Sequence, residues 1–260
     1  MKALILSDLH LDHWSKTQNS TLFNDISNAQ VDCVLCAGDA CQVNNSQNWE
    51  LFLSSLRVPC FYVMGNHDAY GTSMLQAREF LHDKAQQCKY FNFLDNNHTI
   101  FNGYVIVGSP LYTNFNLFGN GVVESTHPRY KMINDFGYIH NDQESGCITP
   151  HDYISLHNQA REYLTKTITE HKDGKVILLT HWIPSRYCIT PEYANDAFNP
   201  YFAVECSLLL NINTSVKYWV YGHTHSSYRT NIGNTAFICN PRGYPDERKK
   251  WHSGNFVVEL

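Results

Sequence analysis

The sequence contains no apolar stretch that approaches the ~20 residues of a membrane-spanning helix. Its first apolar run, Ala3 to Leu6, is too short for the core of a signal peptide. The 19 basic residues are outnumbered by 24 acidic ones, and the net charge of −5 provides no basic field for nucleic acid or anionic lipid. We therefore expect a soluble, cytoplasmic protein that binds neither membranes nor nucleic acid.

The cysteine pattern lacks the signature of a zinc ribbon or a disulfide framework. The nine cysteines are odd in number, and they include a single CxxC pair, Cys33 and Cys36, where a zinc ribbon requires two pairs. Several cysteines lie within apolar runs such as residues 33–36. This placement indicates buried, reduced thiols.

The chain also lacks repeats, blocks of like charge and low-complexity linkers that would mark a domain boundary. With 260 residues, 43% of them hydrophobic, it can bury a complete core, and we interpret residues 1–260 as a single domain. The least regular stretch, residues 111–146, is rich in Asn, Gly and Tyr. We expect it to form loops over a functional site.

Five short apolar runs, each typical of a buried strand, end directly at polar residues. These polar residues follow the runs in this order: Asp8-Leu9-His10, Gly38-Asp39, Gly65-Asn66-His67-Asp68, His181 and Gly222-His223-Thr224-His225. In α/β proteins, ligands bind beyond the carboxyl ends of the strands. We therefore predict that these polar residues share one site.

Helical patterns lie between these strands and define the fold class. Ser73 and Gln76 have the spacing of a capping box, and Thr149 with Pro150 begins a second helical pattern. Alternating strands and helices favour a layered α/β fold. Consecutive strands without a helix, near residues 90–107 and 236–260, indicate a second sheet. The prediction is a sandwich of two sheets flanked by helices.

The residue types at the strand ends are those that bind divalent metal ions. Carboxylate, amide and imidazole groups suit Mn²⁺, Fe²⁺ and Zn²⁺. The set is too large for one ion, whereas two ions about 3.5 to 4 Å apart that share a carboxylate would use all of it.

In their order and over nearly the whole chain, the motifs resemble those of the calcineurin-like metallophosphoesterases. The family patterns DxH, GD, GNH(D/E), a single strand-end His and GHxH correspond to the five motifs above. The resemblance implies a four-layer α/β/β/α sandwich of two mixed sheets flanked by helices. It also implies a set of metal ligands: Asp8, His10 and His225 for one ion, Asn66, His181 and His223 for the other, and Asp39 as the bridge between them.

The resemblance further implies a metal-dependent hydrolase of phosphate esters that uses a metal-bridging hydroxide. The substrate would be a small phosphorylated molecule or nucleotide, as a monoester or a diester, and Mn²⁺ is the expected ion, with Fe or Zn as alternatives. His67 corresponds to the family histidine that contacts the phosphoryl oxygen or protonates the leaving group. Many members have Asp or Tyr where this chain has Gln42, which brings no charge. We expect no tyrosinate-iron site, and the group that orients His67 is left open.

Three alternatives remain. A protein phosphatase or a nuclease of the same family would need a broad groove or a basic face, and neither is visible in the sequence. A non-catalytic scaffold on the same fold would lack ligands or His67, but all are present.

Several neighbouring residues have expected structural roles. Gly222 is expected to let the chain turn, so that His223 and His225 face one cluster. Asp68 is interpreted as a hydrogen-bonding residue. The segment around Arg242 is interpreted as a turn, with a bidentate contact to a substrate phosphate as the alternative.

Overall fold

The structure is a computed structural model and describes residues 1–142, 145–206, 209, 215–247 and 256–260. Within this part of the chain, eleven strands form two sheets. The first sheet contains β1 (Lys2–Leu6), β2 (Cys33–Cys36), β3 (Cys60–Tyr62), β4 (Phe91–Phe93) and β11 (Val257–Glu259). The second contains β5 (Asn97–Phe101), β6 (Tyr104–Gly108), β7 (Val176–Leu179), β8 (Val216–Tyr221), β9 (Tyr228–Ile232) and β10 (Thr235–Cys239).

Both sheets are mixed. In the first sheet, with order β11-β1-β2-β3-β4, the strands β1 to β4 are parallel and β11 is antiparallel. In the second, with order β5-β6-β7-β8-β10-β9, the four central strands are parallel and the two edge strands are antiparallel. The carboxyl ends of parallel neighbours meet at one edge of a sheet, which is where the predicted polar motifs lie.

Seven α-helices connect the strands in the described residues: α1 (Lys16–Asn28), α2 (Ser46–Ser55), α3 (Met74–Gln87), α4 (Gly121–Ser125), α5 (Asp135–Tyr138), α6 (Pro150–Glu170) and α7 (Asn199–Phe202). The capping boxes predicted at Ser73 and Thr149 are present at the start of α3 and α6. Each cap satisfies backbone N–H groups that the first helical turn leaves unpaired.

The two sheets face each other across a shared core. On β1, Ala3 and Ile5 point into this core, whereas Leu4 and Leu6 point to the outer face, as the two-residue period of a strand requires. The second sheet contributes Ile177 of β7 to the shared core, among others. Strands that are buried on both faces therefore have nearly continuous apolar sequences.

Helices cover the outer face of each sheet. Leu22 of α1, Trp49 of α2 and Leu81 of α3 pack on the first sheet, and Ala160 and Leu164 of α6 pack on the second. The predicted four-layer α/β/β/α sandwich of two mixed sheets is confirmed. The single domain over residues 1–260 stays a prediction.

The irregular stretch at residues 111–146 contains more structure than the loops we expected. It includes α4, a 3-10 helix at Pro128–Met132 and α5, while residues 143 and 144 lie outside the described part of the chain. These helices are only four or five residues long, which is too short for a helical period to show in the sequence.

Among the helices described, none is both long enough and apolar enough to cross a lipid bilayer. The cytoplasmic location stays a prediction.

Trp49 is expected to be a main contributor to the helix-to-sheet packing of the first sheet. Its side chain is fully buried, and its indole Nε1 donates to the carbonyl oxygen of Cys41 at 3.1 Å. Trp49→Ala should lower the free energy of unfolding by about 3 to 5 kcal/mol, because it leaves a cavity and an unpaired carbonyl. Urea unfolding followed by circular dichroism measures this change.

Leu51→Ala in the same helix provides the matched control, since Leu51 is 44% exposed. Its cost should stay within about 0.5 to 1 kcal/mol. Equal costs for the two variants would contradict the packing described for α2.

Candidate metal centre

Four of the predicted ligands have backbones in the left-handed region, which L residues rarely adopt. The φ angles are 48° for Asp8, 43° for His10, 57° for Asp39 and 65° for His223. Such conformations cost free energy and cluster at functional sites, where the surrounding structure holds them. In this protein the left-handed conformations direct the side chains of the short loops after the strands toward the same cluster.

Backbone hydrogen bonds hold the first two loops together. The N–H of Asp8 donates to the carbonyl oxygen of Gly38, and the N–H of His10 donates to that of Asp39, both at 3.0 Å. Because β1 and β2 are parallel neighbours, the two loops continue the pairing of the strands beyond their ends. The carboxylates of Asp8 and Asp39 are thereby placed side by side.

The first group of side chains that could hold a metal ion comprises Asp8, His10 and His225. Their ligand atoms all lie within 4.8 Å of one another. The Nε2 atoms of His10 and His225 are 3.0 Å apart, and His225 Nε2 is 3.9 Å from Asp8 Oδ1. This arrangement agrees with the first ligand set implied by the resemblance.

The second group comprises Asp8, Asp39 and His181, again within 4.8 Å of one another. His181 Nδ1 lies 2.6 Å from the carbonyl oxygen of Ala37, a distance at which Nδ1 donates. Its Nε2 then faces two oxygens, Asp39 Oδ2 at 3.3 Å and Asn66 Oδ1 at 3.1 Å. An imidazole nitrogen that faces two acceptors requires a proton or a metal ion.

His223 lies beside His181, with the two ring centroids 5.0 Å apart. Its backbone N–H donates to Asp8 Oδ1 at 3.0 Å, whereas its Nε2 is buried and has no hydrogen-bond partner in the described structure. The same holds for Asp8 Oδ2. Buried polar atoms without partners are costly, and a cation would satisfy both of these atoms.

Burial and mutual attraction shift the pKa values of the clustered groups. Burial raises the pKa of Asp8 to about 6, although His181 and His225 oppose this shift. Burial would also raise the pKa of Asp39, but His181 and His67 lower it well below its usual range. Burial and neighbouring imidazoles lower the pKa values of His10 and His223, so these rings are neutral and offer a lone pair.

Glycines make room for the ligands. A Cβ atom on Gly65 would lie 2.0 Å from Asp39 Oδ1, and one on Gly222 would lie 2.9 Å from Asp8 Oδ2 and 2.8 Å from the carbonyl oxygen of Ala37. The expected role of Gly222 therefore needs correction. The residue of the turn with a left-handed backbone is His223. Glycine is required at position 222 because the Asp8 carboxylate and the Ala37 carbonyl lie too close for a Cβ atom.

His67 lies in the wall of a cavity next to the cluster. Its ring stacks on Tyr70 with centroids 4.1 Å apart, and its backbone N–H donates to Asp39 Oδ1 at 2.8 Å. Burial lowers the pKa of His67, against the opposing effect of Asp39. Among the described residues, no hydrogen bond joins Gln42 to His67.

Asp68 has the structural role predicted for it. Its carboxylate accepts hydrogen bonds from the Tyr62 hydroxyl at 2.5 Å and from the Gly65 N–H at 2.8 Å. It thereby holds the loop that presents Asn66 and His67.

Arg242, the arginine considered as a phosphate contact, and Arg186 both have partners within the protein. The buried Arg242 guanidinium donates to Asn19 Oδ1 at 2.7 Å and packs over Trp14, 4.1 Å from its ring centroid. Arg186 pairs with Glu205 at 2.9 Å. The structure supports the turn, not the phosphate contact, for the Arg242 segment.

Three side chains at the site were not singled out from the sequence. Tyr244 places its hydroxyl 3.2 Å from His67 Nε2, and Glu247 places Oε1 2.7 Å from His225 Nδ1. Asp135 accepts a hydrogen bond from Asn66 Nδ2 at 2.8 Å. No motif marks them, because each contacts a residue at least 22 positions away in the chain.

The cavity beside the cluster has a volume of about 440 Å³. Its lining includes Asp39, Asn66 and His223 of the cluster and apolar side chains such as Ile183 and Phe202. A cavity of this size suits a small molecule.

The family model for calcineurin-like phosphoesterases matches residues 1–227, which include all five strand-end motifs. This chain belongs to the calcineurin-like phosphoesterases. Members of this family typically depend on two metal ions, and the two groups of clustered side chains agree with that property.

One relative and two solved structures are similar to this chain over most of its length. An uncharacterized protein of Acanthamoeba polyphaga mimivirus is 24% identical, over 97% of this phosphoesterase and 94% of the viral protein. The structure of phosphopantetheinyl hydrolase from Mycobacterium tuberculosis has a TM-score of 0.75 at 17% identity, with 99% and 95% of the two chains covered. A dimetal phosphatase from Danio rerio has a TM-score of 0.57 at 14% identity, with 92% and 86% covered. At these identities the two structures show the shared fold.

Gly222→Ala should weaken the binding of Mn²⁺ by about 10-fold or more, the range for changes to the support of a metal ligand. The added Cβ would have to displace the Asp8 carboxylate or the Ala37 carbonyl. Isothermal titration calorimetry measures the affinity. Gly137→Ala is the control, because a Cβ there meets no atom within 4 Å. Equal Mn²⁺ affinities for the two variants would contradict the close approach at Gly222.

Proposed function

We propose that this phosphoesterase is a hydrolase that depends on two divalent metal ions and acts on a small phosphorylated molecule. The observation that carries the proposal is the convergence of carboxylate, amide and imidazole groups from five strand ends of two sheets in one cluster, beside a cavity. These groups include buried polar atoms that lack partners among the described residues.

We assign the ligands to two adjoining sets. Asp8, His10 and His225 would hold one ion, and Asn66, His181 and His223 would hold the other. Asp39 would belong to both sets, and the distance of less than 4.8 Å from its carboxylate to the ligand atoms of Asp8 and His181 supports that role. The donors are oxygen and imidazole nitrogen without a thiolate, a set that suits Mn²⁺, our first choice, as well as Fe or Zn.

Bound ions at this position supply the positive charge that holds a phosphate ester and favours attack by water on phosphorus. The chain contributes orientation and hydrogen bonds. His67, whose pKa burial lowers, is neutral near pH 7 and keeps one N–H. We assign this N–H as a donor to a phosphoryl oxygen of the substrate, with the Tyr244 hydroxyl at 3.2 Å restraining the ring.

The cavity supports small monoesters and small diesters alike. Its volume of about 440 Å³ accommodates a compact substrate, and Ile133, Ile183, Ile189 and Phe202 offer an apolar surface to the part attached to phosphate. The similar structure from Mycobacterium tuberculosis is called a phosphopantetheinyl hydrolase. A phosphodiester is therefore tested beside a phosphomonoester.

The alternative classes have less support. A scaffold without activity would not need the clustered ligand-type side chains, several of which line the cavity. A protein phosphatase or a nuclease would use a broad groove or a basic face, and the net charge of −5 provides no basic field. We therefore retain a small phosphorylated molecule as the proposed substrate, and we expect no nucleic-acid substrate.

Hydrolysis of p-nitrophenyl phosphate and bis-p-nitrophenyl phosphate in the presence of Mn²⁺ tests the proposal. His67→Ala should lower kcat/KM by about 100-fold or more, the range for loss of one hydrogen-bond donor to charge that develops in the transition state. Asp39→Asn should lower both activity and metal content, because a neutral amide replaces the negatively charged carboxylate that both ions are proposed to share. His98→Ala is the control, since His98 contacts Tyr163 away from the cluster. If neither substrate is cleaved across a series of metals and pH values, the enzymatic function is wrong.

Metal binding should release protons at pH 7. Burial would lower the pKa of His181, but the carboxylates of Asp39 and Asp8 raise it to about 9, so the ring is protonated in the metal-free protein. A ligand imidazole must be neutral, so metal affinity should rise with pH up to about 9. Calorimetric titration with Mn²⁺ in buffers of different ionisation enthalpy measures the release. Identical heats in all buffers would contradict it.

A further inference from the structure

Asp135 is a fully buried carboxylate that accepts hydrogen bonds from four side chains. Oδ1 accepts from Asn66 Nδ2 at 2.8 Å and from the Tyr70 hydroxyl at 2.6 Å. Oδ2 accepts from the Tyr153 hydroxyl at 2.6 Å and from the Tyr201 hydroxyl. These bonds fill the four acceptor positions of a carboxylate, so the buried charge is compensated without a basic partner.

The bond to Asn66 determines which way its amide points. A carboxylate only accepts and an amide nitrogen only donates, so Nδ2 must face Asp135. Oδ1 of Asn66 then faces His181, 3.1 Å from Nε2. If the Asn66 amide were flipped, its oxygen would face the Asp135 carboxylate and repel it. Its nitrogen would then face the cluster, and an amide nitrogen does not bind metal ions.

The same network touches two other residues of the site. Tyr70 stacks on the ring of His67 with a centroid distance of 4.1 Å, and Tyr201 lies 5.2 Å from the ring of His223. The tyrosines come from separate elements: Tyr70 follows the loop after β3, Tyr153 belongs to α6 and Tyr201 to α7. Asp135 thus joins these elements behind the second ligand set.

We propose that Asp135 is a positioning residue that sets the Asn66 amide for the ion held by Asn66, His181 and His223. The inference rests on the proposed function, because it takes Asn66 as a metal ligand. It goes further, because it makes the occupancy of one metal site, and not of the other, depend on Asp135 in the 111–146 segment.

Asp135→Asn tests this role, since it keeps the shape of the side chain and removes two acceptor positions. We expect Mn²⁺ affinity at one of the two sites to fall by 10- to 100-fold, the range for loss of a group that supports a ligand. Affinity at the other site should change by less than about 3-fold. Metal analysis gives the stoichiometry, and electron paramagnetic resonance distinguishes a coupled manganese pair from a single ion.

Reciprocal exchange gives a sharper test. Asn66→Asp alone places two carboxylates against each other and should also weaken one site. In the double variant, Asn66→Asp with Asp135→Asn, an amide nitrogen at position 135 can donate to a carboxylate at position 66, whose second oxygen faces the cluster. The double variant should bind the second ion at least 10-fold more tightly than Asn66→Asp alone. A double variant no better than Asn66→Asp overturns the inference, even if Asp135→Asn alone fails to fold.

Tyr153→Phe is the matched control, because it removes one donor to Asp135 without touching Asn66. Its Mn²⁺ stoichiometry should stay at the wild-type value. A wild type that binds fewer than two ions would overturn the proposed function itself. A wild type with two ions and an Asp135→Asn variant with the same two affinities would overturn only the role of Asp135.

Discussion

Two buried carboxylates, Asp8 and Asp39, lie side by side among imidazoles, and the rest of the site is arranged around this concentration of charge. Like charges so close together repel unless cations lie between them. Four residues with left-handed backbones and two glycines that leave no room for a Cβ bring these groups together. The left-handed backbones cost conformational free energy, which the free energy of metal binding would offset. Asp8 Oδ2 and His223 Nε2 are buried without a hydrogen-bond partner among the described residues, and a bound cation would satisfy both.

The sandwich is what brings the two halves of this charge cluster into contact. The N–H of Ser7, at the end of β1, donates to the carbonyl oxygen of Asn240 at 3.1 Å, which links the first sheet to the second beside the cluster. The N–H of Gly222 donates to the carbonyl oxygen of His181 at 2.9 Å. The apolar core between the sheets thus supports the geometry of the site, because a shift of one sheet would separate Asp8 from His223.

Much of the fold followed from local patterns. The strands that end at the motifs and the capped helices α3 and α6 were predicted, since burial on both faces and capping boxes have short-range signatures. Helices α1 and α2 were not singled out, because their sequences are mostly polar and bury few side chains: Asn19, Leu22 and Ile26, and Trp49, Phe52 and Ser55. The role of Gly222 was misjudged, because a close approach between distant loops leaves no mark on the residues next to it.

By itself the sequence determined the family and the layered fold, and it predicted the residues offered to metal ions, because each of these residues follows a strand within a few positions. Tertiary structure alone decided what supports those residues. Asp135 lies 69 positions from Asn66, and Tyr244 lies 177 positions from His67. Such partners have no sequence period, since their contacts arise only when the two sheets and the 111–146 segment close over the same cavity.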